Sequence, residues 1–503
     1  MKVLEALWTY RHSDRTALIG SEGCLSYREL WERSENLAYW IRQKYLGNRA
    51  PIVVYGHKSP WMIIAFLACV KSGHAYVPVD ISVPANRVET IIRSVHPPVI
   101  LAAAAFEAPE EYECLYLESE YDRITENGPY VVDKESHVKD NDVFYIIFTS
   151  GSTGTPKGVQ ITYHALNQFV TWALSIGSVS KKNTRFINQA PFSFDLSVMD
   201  LYMCLASESS LYMIDKSTQA DYRRLFSALK ESEAAVWVST PSFADVCLAD
   251  PSFCEELMPN IRLFLFCGEV LTNKTAASLL SRFPKAEIYN TYGPTESTVA
   301  VTETQVDSAM IEAYNPLPVG RAKPGTTIQI MDGDRILGEG EKGEIVILGD
   351  TVSIGYLRNE EETAKRFFIG SIDGQKLPAY RTGDKGYILD GQLFYCGRID
   401  LQIKLHGYRM ELEDVEKNLM KVEGVQKAVA LPIMDDGKVR YIKAFCVYNS
   451  PVSNAIQMQK KIKQQMASFV PEYMIPRKIV FVDEIPMTAN GKADRKRLQE
   501  TDA

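Results

Sequence analysis

Short apolar runs alternate with longer helical patterns through much of the chain, and this alternation limits the fold more than any other feature. Pro51–Tyr55, Pro98–Ala102, Ala235–Ser239 and Arg262–Phe266 are rich in β-branched and aromatic residues, as buried strands are. Ser59–Lys71 and Ala220–Glu233 carry helical patterns between them. Ser59 is placed as an N-cap and Pro60 as the first helical residue, which is a start signal. Such alternation favours α/β layers with mainly parallel strands. From about Pro316 to Gly397 the pattern changes to short strands with frequent glycines, such as Gly343–Gly349 and Gly391–Cys396. That pattern predicts a small antiparallel β subdomain. A boundary falls at Gly397-Arg398-Ile399-Asp400. Beyond it, Glu411–Val422 and Ala455–Phe469 read as helices, and Val425–Pro432 and Tyr441–Tyr448 as strands. The expected class is therefore α/β: a large N-terminal lobe of layered α/β sheets over residues 1–398, with the β subdomain at about 316–398, and a small α+β C-terminal lobe over 399–503.

Composition narrows the function classes. A net charge of −8 argues against broad binding to nucleic acid or anionic membranes. The nine cysteines form no C-x-x-C pair, so neither a zinc site nor a redox pair is suggested. Dispersed thiols fit a reducing compartment. The longest apolar run, Trp61–Val70, is too short to span a bilayer. The first residues lack a long apolar core, so no signal peptide is expected. The expectation is a cytoplasmic protein without stable membrane insertion.

The stretch TSGSTGTPKG at 149–158 looks built to wrap an anion. Phe144–Phe148 before it reads as a strand, and the segment from Val159 through His164 could carry a helix. A strand, a glycine-rich loop and a helix form a context in which backbone N–H groups face phosphates. A Walker loop needs G-x-x-x-x-G-K-[ST], and here Pro156 stands where the second glycine should be. P-loop chemistry is therefore excluded. A flexible surface loop is the bland alternative.

Four further motifs follow: NTYGPTE at 290–296, YRTGD at 380–384, GRIDLQIKLHGYRME at 397–411 and NGKADR at 490–495. With the first, they resemble the adenylate-forming superfamily of acyl-CoA synthetases, luciferases and peptide-synthetase adenylation domains. The resemblance runs from Leu25-Ser-Tyr-Arg-Glu-Leu30 to Arg495. It implies that ATP converts a carboxylate to an acyl-adenylate, which a thiol then intercepts. By the same resemblance, Thr149, Ser150, Gly151, Ser152, Thr153 and Lys157 handle ATP phosphates. Asn290, Thr291, Gly293 and Pro294 would bind ATP, with Tyr292 offering an aromatic face to adenine, Thr295 at the α-phosphate and Glu296 on Mg²⁺. Asp384 would bind the ribose hydroxyls, with Tyr395 and Arg398 nearby. Lys492 is implied as the catalytic lysine bridging carboxylate and α-phosphate oxygens. Asp400 matches the hinge of a mobile C-terminal lobe, and Gly407 the loop facing the thiol arm. His406 departs from the arginine usual just before that glycine.

The stretch APFSFDLSVMD at 190–200 addresses the substrate. Asp195 sits among apolar residues and could be a helix N-cap. A carboxylate in apolar company otherwise wants a cationic partner, and an α-ammonium supplies one. Amino-acid-activating members carry aspartate at this position. Mapped by the resemblance, the side-chain pocket holds Leu196, Met199, Cys267, Thr291, Val299 and Ala300, with Lys492 also touching the substrate. Met199 and Cys267 fill space, which points to alanine, glycine or serine. The chain ends soon after Arg495, so a separate phosphopantetheinylated carrier protein is the expected thiol donor. In these respects the chain is similar to the branch that activates D-alanine for teichoic acid D-alanylation, and a monomer is expected. A stand-alone adenylation protein for another small amino acid and a catalytically silent nucleotide sensor remain alternatives at this level.

Overall fold

The computed structural model describes residues 2–126, 128–150, 156–178, 180–435, 437–450, 452, 454–487 and 493–500. The chain divides into two compact units: residues 1–81, 92–147 and 158–397, and residues 82–91, 148–157 and 398–503.

The larger unit holds two mainly parallel sheets and one antiparallel sheet. The first runs in the order Arg321–Ala322, Thr302–Gln305, Glu287–Tyr292, Leu263–Phe266, Val236–Ser239, Arg185–Asn188, Ser210–Met213, Thr16–Gly20, Gly23–Ser26. Its central pairings are parallel and its margins antiparallel. The second runs Cys114–Tyr116, Ile100–Ala102, Ile52–Gly56, Tyr76–Asp80, Val143–Thr149, Lys157–Thr162. Every residue of Ile52–Gly56 and Tyr76–Asp80 is buried, as strands of a parallel sheet covered on both faces should be. Helix Pro60–Lys71 is buried on all sides and touches strands of both parallel sheets. That position explains why its sequence has no polar stripe. Ser59 caps it by accepting the Trp61 N–H at 3.3 Å. The antiparallel sheet is built around Thr326–Asp332, Gly343–Gly349, Phe367–Ile372 and Gln375–Leu389.

The smaller unit has its own core, formed by residues such as Met410, Val415, Ala444, Ile462 and Met466. It contains the hairpin Gln402–Leu405/Tyr408–Glu411 and a sheet of Val425–Asp435, Lys438–Tyr448 and Lys478–Phe481. Helices Leu412–Leu419 and Ala455–Ala467 complete it.

One sequence expectation is corrected. The glycine-rich stretch does not lead from a strand into a helix. It joins Val143–Thr149 to Lys157–Thr162, neighbouring strands of one sheet. Val159, Ile161 and Thr162 are β-branched and hold the backbone extended. The helix begins only at Tyr163, where Thr162 accepts the Ala165 N–H at 3.2 Å. The helix-dipole argument for phosphate binding therefore does not apply to this loop.

Candidate active site

Two residues expected on the nucleotide side, Tyr292 and Asp384, share a buried hydrogen bond. Tyr292, the last residue of strand Glu287–Tyr292, donates its hydroxyl to Asp384 Oδ2 at 2.6 Å. Burial first, and then the Asp384 charge, push the Tyr292 phenol well above its usual range, so it stays a donor. Asp384 lies inside the long strand Gln375–Leu389, not in a turn. The register against Gly343–Gly349 jumps there: Val346 pairs with Arg381 and Glu344 with Lys385. Gly383 occupies this bulge at φ +71°, a conformation open to glycine, and the bulge re-aims the following carboxylate. The Thr382 hydroxyl accepts the Asp384 N–H at 2.9 Å and donates to the Ile345 carbonyl at 2.6 Å. The Tyr395 ring lies 6.1 Å from that of Tyr292.

The first side chains of the motif are anchored to backbone carbonyls of neighbouring segments. Asn290 donates to the Pro318 carbonyl at 2.8 Å, and Thr291 to the Phe266 carbonyl at 2.9 Å. Asn290 Oδ1 is buried and has no hydrogen-bond partner among the described residues. Gly293 is required by close approach, because a Cβ there would sit 2.5 Å from Ala300 Cα. Pro294 leads into the single turn Thr295–Ser297. Thr298 and Val299 follow with φ of +61° and +66°, a left-handed pair that β-branched residues rarely adopt. Glu296 is buried and accepts the Tyr356 hydroxyl at 2.9 Å.

The residues expected to meet the amino acid begin at the head of helix Leu196–Ala206. Asp195 occupies its N-cap position, with αR backbone and no side-chain capping bond. The capping reading of Asp195 is therefore not realised. Its charge reaches the buried Tyr145, whose phenol is pushed well above its usual range by burial first and Asp195 second. Leu196, Met199, Cys267, Val299 and Ala300 are all buried and belong to the large hydrophobic core of this unit. Cys267 Sγ contacts the Val299 carbonyl at 3.6 Å, which ties the pocket wall to the left-handed turn.

In the smaller unit Ser150 is buried and donates to the Arg409 carbonyl at 2.9 Å. Arg398 grips Asp400 through two hydrogen bonds, Nε to Oδ1 at 2.8 Å and Nη2 to Oδ2 at 2.6 Å. His406 and Gly407 form the two-residue turn between paired Leu405 and Tyr408, with φ of +52° and +82°. Both residues being left-handed marks the turn that matches hairpin twist, and histidine is among the residues that tolerate it. Thr149 ends its strand, and Lys157 begins the next, half-buried. Gly151, Ser152, Thr153 and Lys492 lie outside the described residues.

The AMP-binding enzyme model matches residues 6–357, and the AMP-binding enzyme C-terminal domain model matches residues 414–492. The chain belongs to the AMP-binding enzyme family. Among its curated relatives in the family is a D-alanine–D-alanyl carrier protein ligase of Bacillus thuringiensis (strain Al Hakam), 47% identical over 99% of both chains. A protein of the same name from Bacillus anthracis is 46% identical over 99% of both. Solved structures agree on the fold. A peptide-synthetase protein containing adenylation and PCP domains superposes with a TM-score of 0.85 at 24% identity, over 99% of this chain and 84% of that one. An adenylation domain from Vibrio cholerae, in complex with glycyl-adenosine-5'-phosphate, gives 0.81 at 20% identity over 100% and 97%. Family motifs account for the Tyr292–Asp384 pair but not for Tyr356, nor for the buried set Lys58, Asn188 and Asp200. A signal for the last set was present. Asp200 is the only charged residue of an eleven-residue helix that is otherwise uncharged and wholly buried, so it must find a polar partner. The partner's position was not readable.

Proposed function

We propose that this chain is an ATP-dependent, AMP-forming ligase that activates D-alanine and passes it to the phosphopantetheine thiol of a separate carrier protein, for D-alanylation of lipoteichoic acid. One observation carries the amino-acid reading: Asp195 stands at the head of the buried helix Leu196–Ala206, which also carries Met199. A carboxylate there suits an ammonium, and the buried Met199 and Cys267 suit a small side chain. The relatives at 47% identity bear the matching name.

In the first step a carboxylate oxygen of the amino acid attacks the α-phosphorus. A P–O bond forms, and the bond to pyrophosphate breaks. In the second, the carrier thiol gives up its proton and attacks the carbonyl carbon, releasing AMP. Tyr292 and Tyr395 supply aromatic faces for adenine. Asp384, held by Tyr292, accepts from the ribose, with Arg398 assisting. Thr149–Thr153 and Lys157 bind phosphates, and Thr295 meets the α-phosphate. Asn290, Thr291, Gly293 and Pro294 also bind ATP. Lys492 offsets the repulsion between carboxylate and phosphate. Asp400 acts as the hinge between half-reactions, and Gly407 faces the thiol arm.

Among the described residues, no group of three or more His, Cys, Asp or Glu side chains is placed to hold a metal ion. One buried carboxylate with ATP phosphates and water suits Mg²⁺, and Glu296 is that carboxylate. The ion would neutralise phosphate charge there. Among the described residues no helix is long and apolar enough to cross a membrane. The proposed location is the cytoplasm, and the proposed state a monomer.

Amino-acid-dependent pyrophosphate exchange tests the reading. D-alanine should give the highest kcat/KM. Equal or faster exchange with L-alanine, or exchange only with fatty acids, overturns it. Lys492→Ala should lower exchange by about 10²–10³-fold while ATP still binds. Gly407→Trp should spare exchange and slow thiolation.

A further inference from the structure

Lys58 follows strand Ile52–Gly56 and is almost fully buried. Its ammonium donates to Asn188 Oδ1 and to the Ala190 carbonyl. It also lies 4.3 Å from the centre of the Phe192 ring. Asn188 donates through Nδ2 to Asp200 Oδ1 at 2.8 Å. An amide can accept from an ammonium on one side and donate to a carboxylate on the other, so Asn188 joins the two charges. Asn188 ends a central parallel strand of the first sheet, and Asp200 lies in helix Leu196–Ala206.

The chain between them makes a turn that delivers Asp195. Phe194 N–H donates to the Pro191 carbonyl at 2.9 Å, and the Ser197 hydroxyl donates to the Phe194 carbonyl at 2.7 Å. Lys58 therefore holds this turn at both ends: directly at Ala190, and through Asn188 and Asp200 on the helix that Asp195 heads. Burial lowers the Lys58 pKa to about 7 and raises that of Asp200 to about 8, while the charge of each opposes the other's shift. Asp80 adds a weaker negative field at the lysine. Apolar residues of similar volume would often be no less stable at such a position, so stability alone gives no reason for the set.

We propose that Lys58 is a positioning residue for amino-acid recognition, clamping the Ala190–Asp195 turn so that the Asp195 carboxylate meets the substrate ammonium. This inference rests on the reading of Asp195 given above.

The test is pyrophosphate exchange by the full chain, with D-alanine and ATP varied separately. The variants are Asp195→Asn, Lys58→Met and the charge-neutral pair Lys58→Met/Asp200→Asn. Lys58→Met should raise the D-alanine KM about tenfold and leave the ATP KM within about twofold. The paired variant should regain the melting temperature but not the D-alanine KM, because the Ala190 carbonyl still lacks its donor. A paired variant that regains both overturns the proposal, since charge neutrality alone would then explain Lys58. A raised KM in Asp195→Asn with a normal KM in Lys58→Met overturns the positioning role alone. A normal KM in Asp195→Asn removes the ammonium reading and the positioning role with it.

Discussion

Lys71 and Lys58 are buried to a similar degree in the same unit, yet their partners differ in kind. Lys71 closes helix Pro60–Lys71, and its ammonium meets the neighbouring helix Tyr27–Lys44. It pairs with Glu35 at 3.0 Å, donates to the Ser34 hydroxyl at 2.8 Å, and sits 3.2 Å from the Trp31 ring centre. Lys58 instead reaches a strand end and the turn beyond it. Burial lowers both lysine pKa values, to about 8 for Lys71 and about 7 for Lys58. A perturbed buried charge is therefore no guide to function by itself. Location is the guide, because ligands of open α/β sheets gather at the carboxyl ends of parallel strands.

This contrast can be broken by experiment. Lys71→Met leaves Glu35 buried without its cationic partner, and should cost about 3–5 kcal/mol of stability in urea unfolding. The D-alanine KM of the folded enzyme should not move. A changed KM with unchanged stability would erase the difference between the two lysines.

The loops near the Lys71 end of this helix should also be acid-sensitive. His74 and His137 are buried and held neutral, each with its pKa lowered to about 4 chiefly by burial. Unfolding restores a pKa near 6.5, so the unfolded chain binds more protons between about pH 6.5 and 4. The stability these histidines retain when neutral is full above that window. It falls as the pH drops through it, by up to about 3 kcal/mol per histidine. His74→Leu should flatten this acid limb, and a variant that unfolds with the wild-type pH profile would contradict the assignment.

At the nucleotide end, Tyr292→Phe removes the donor to Asp384. The ATP KM should rise by about tenfold, close to 1–2 kcal/mol, with the D-alanine KM unchanged. A shift in the D-alanine KM instead would show that the two halves of the site are not separable. The smallest effect belongs to the half-exposed pair of Lys2 and Asp140, 2.6 Å apart. Lys2→Met should change stability by less than about 1 kcal/mol, so burial rather than charge separates these lysines.

Much of this molecule was legible in its residues. The apolar runs that predicted strands at Pro51–Tyr55, Pro98–Ala102 and Arg262–Phe266 correspond to Ile52–Gly56, Ile100–Ala102 and Leu263–Phe266. The serine cap and proline start of Pro60–Lys71 were equally plain, because a cap is a contact between residues a few positions apart. The strand Lys157–Thr162 was missed because its β-branched residues run directly into a capped helix, and periodicity separates the two poorly over so short a span. The setting of Asp384 was not legible for a related reason. A glycine before an aspartate reads as a turn, and only pairing with Gly343–Gly349 makes it a bulge.

The sequence by itself determined the α/β alternation, the order of the motifs and the residue types offered to ATP and to an amino acid. Each depends on neighbours close along the chain. Only the tertiary structure decided that Tyr292 would hold Asp384, 92 positions away, and that Lys58 would reach Asn188 across 130. Those choices follow from which strands and helices stack. A buried polar group must be satisfied by whatever the packing brings beside it, and that neighbour is not written locally.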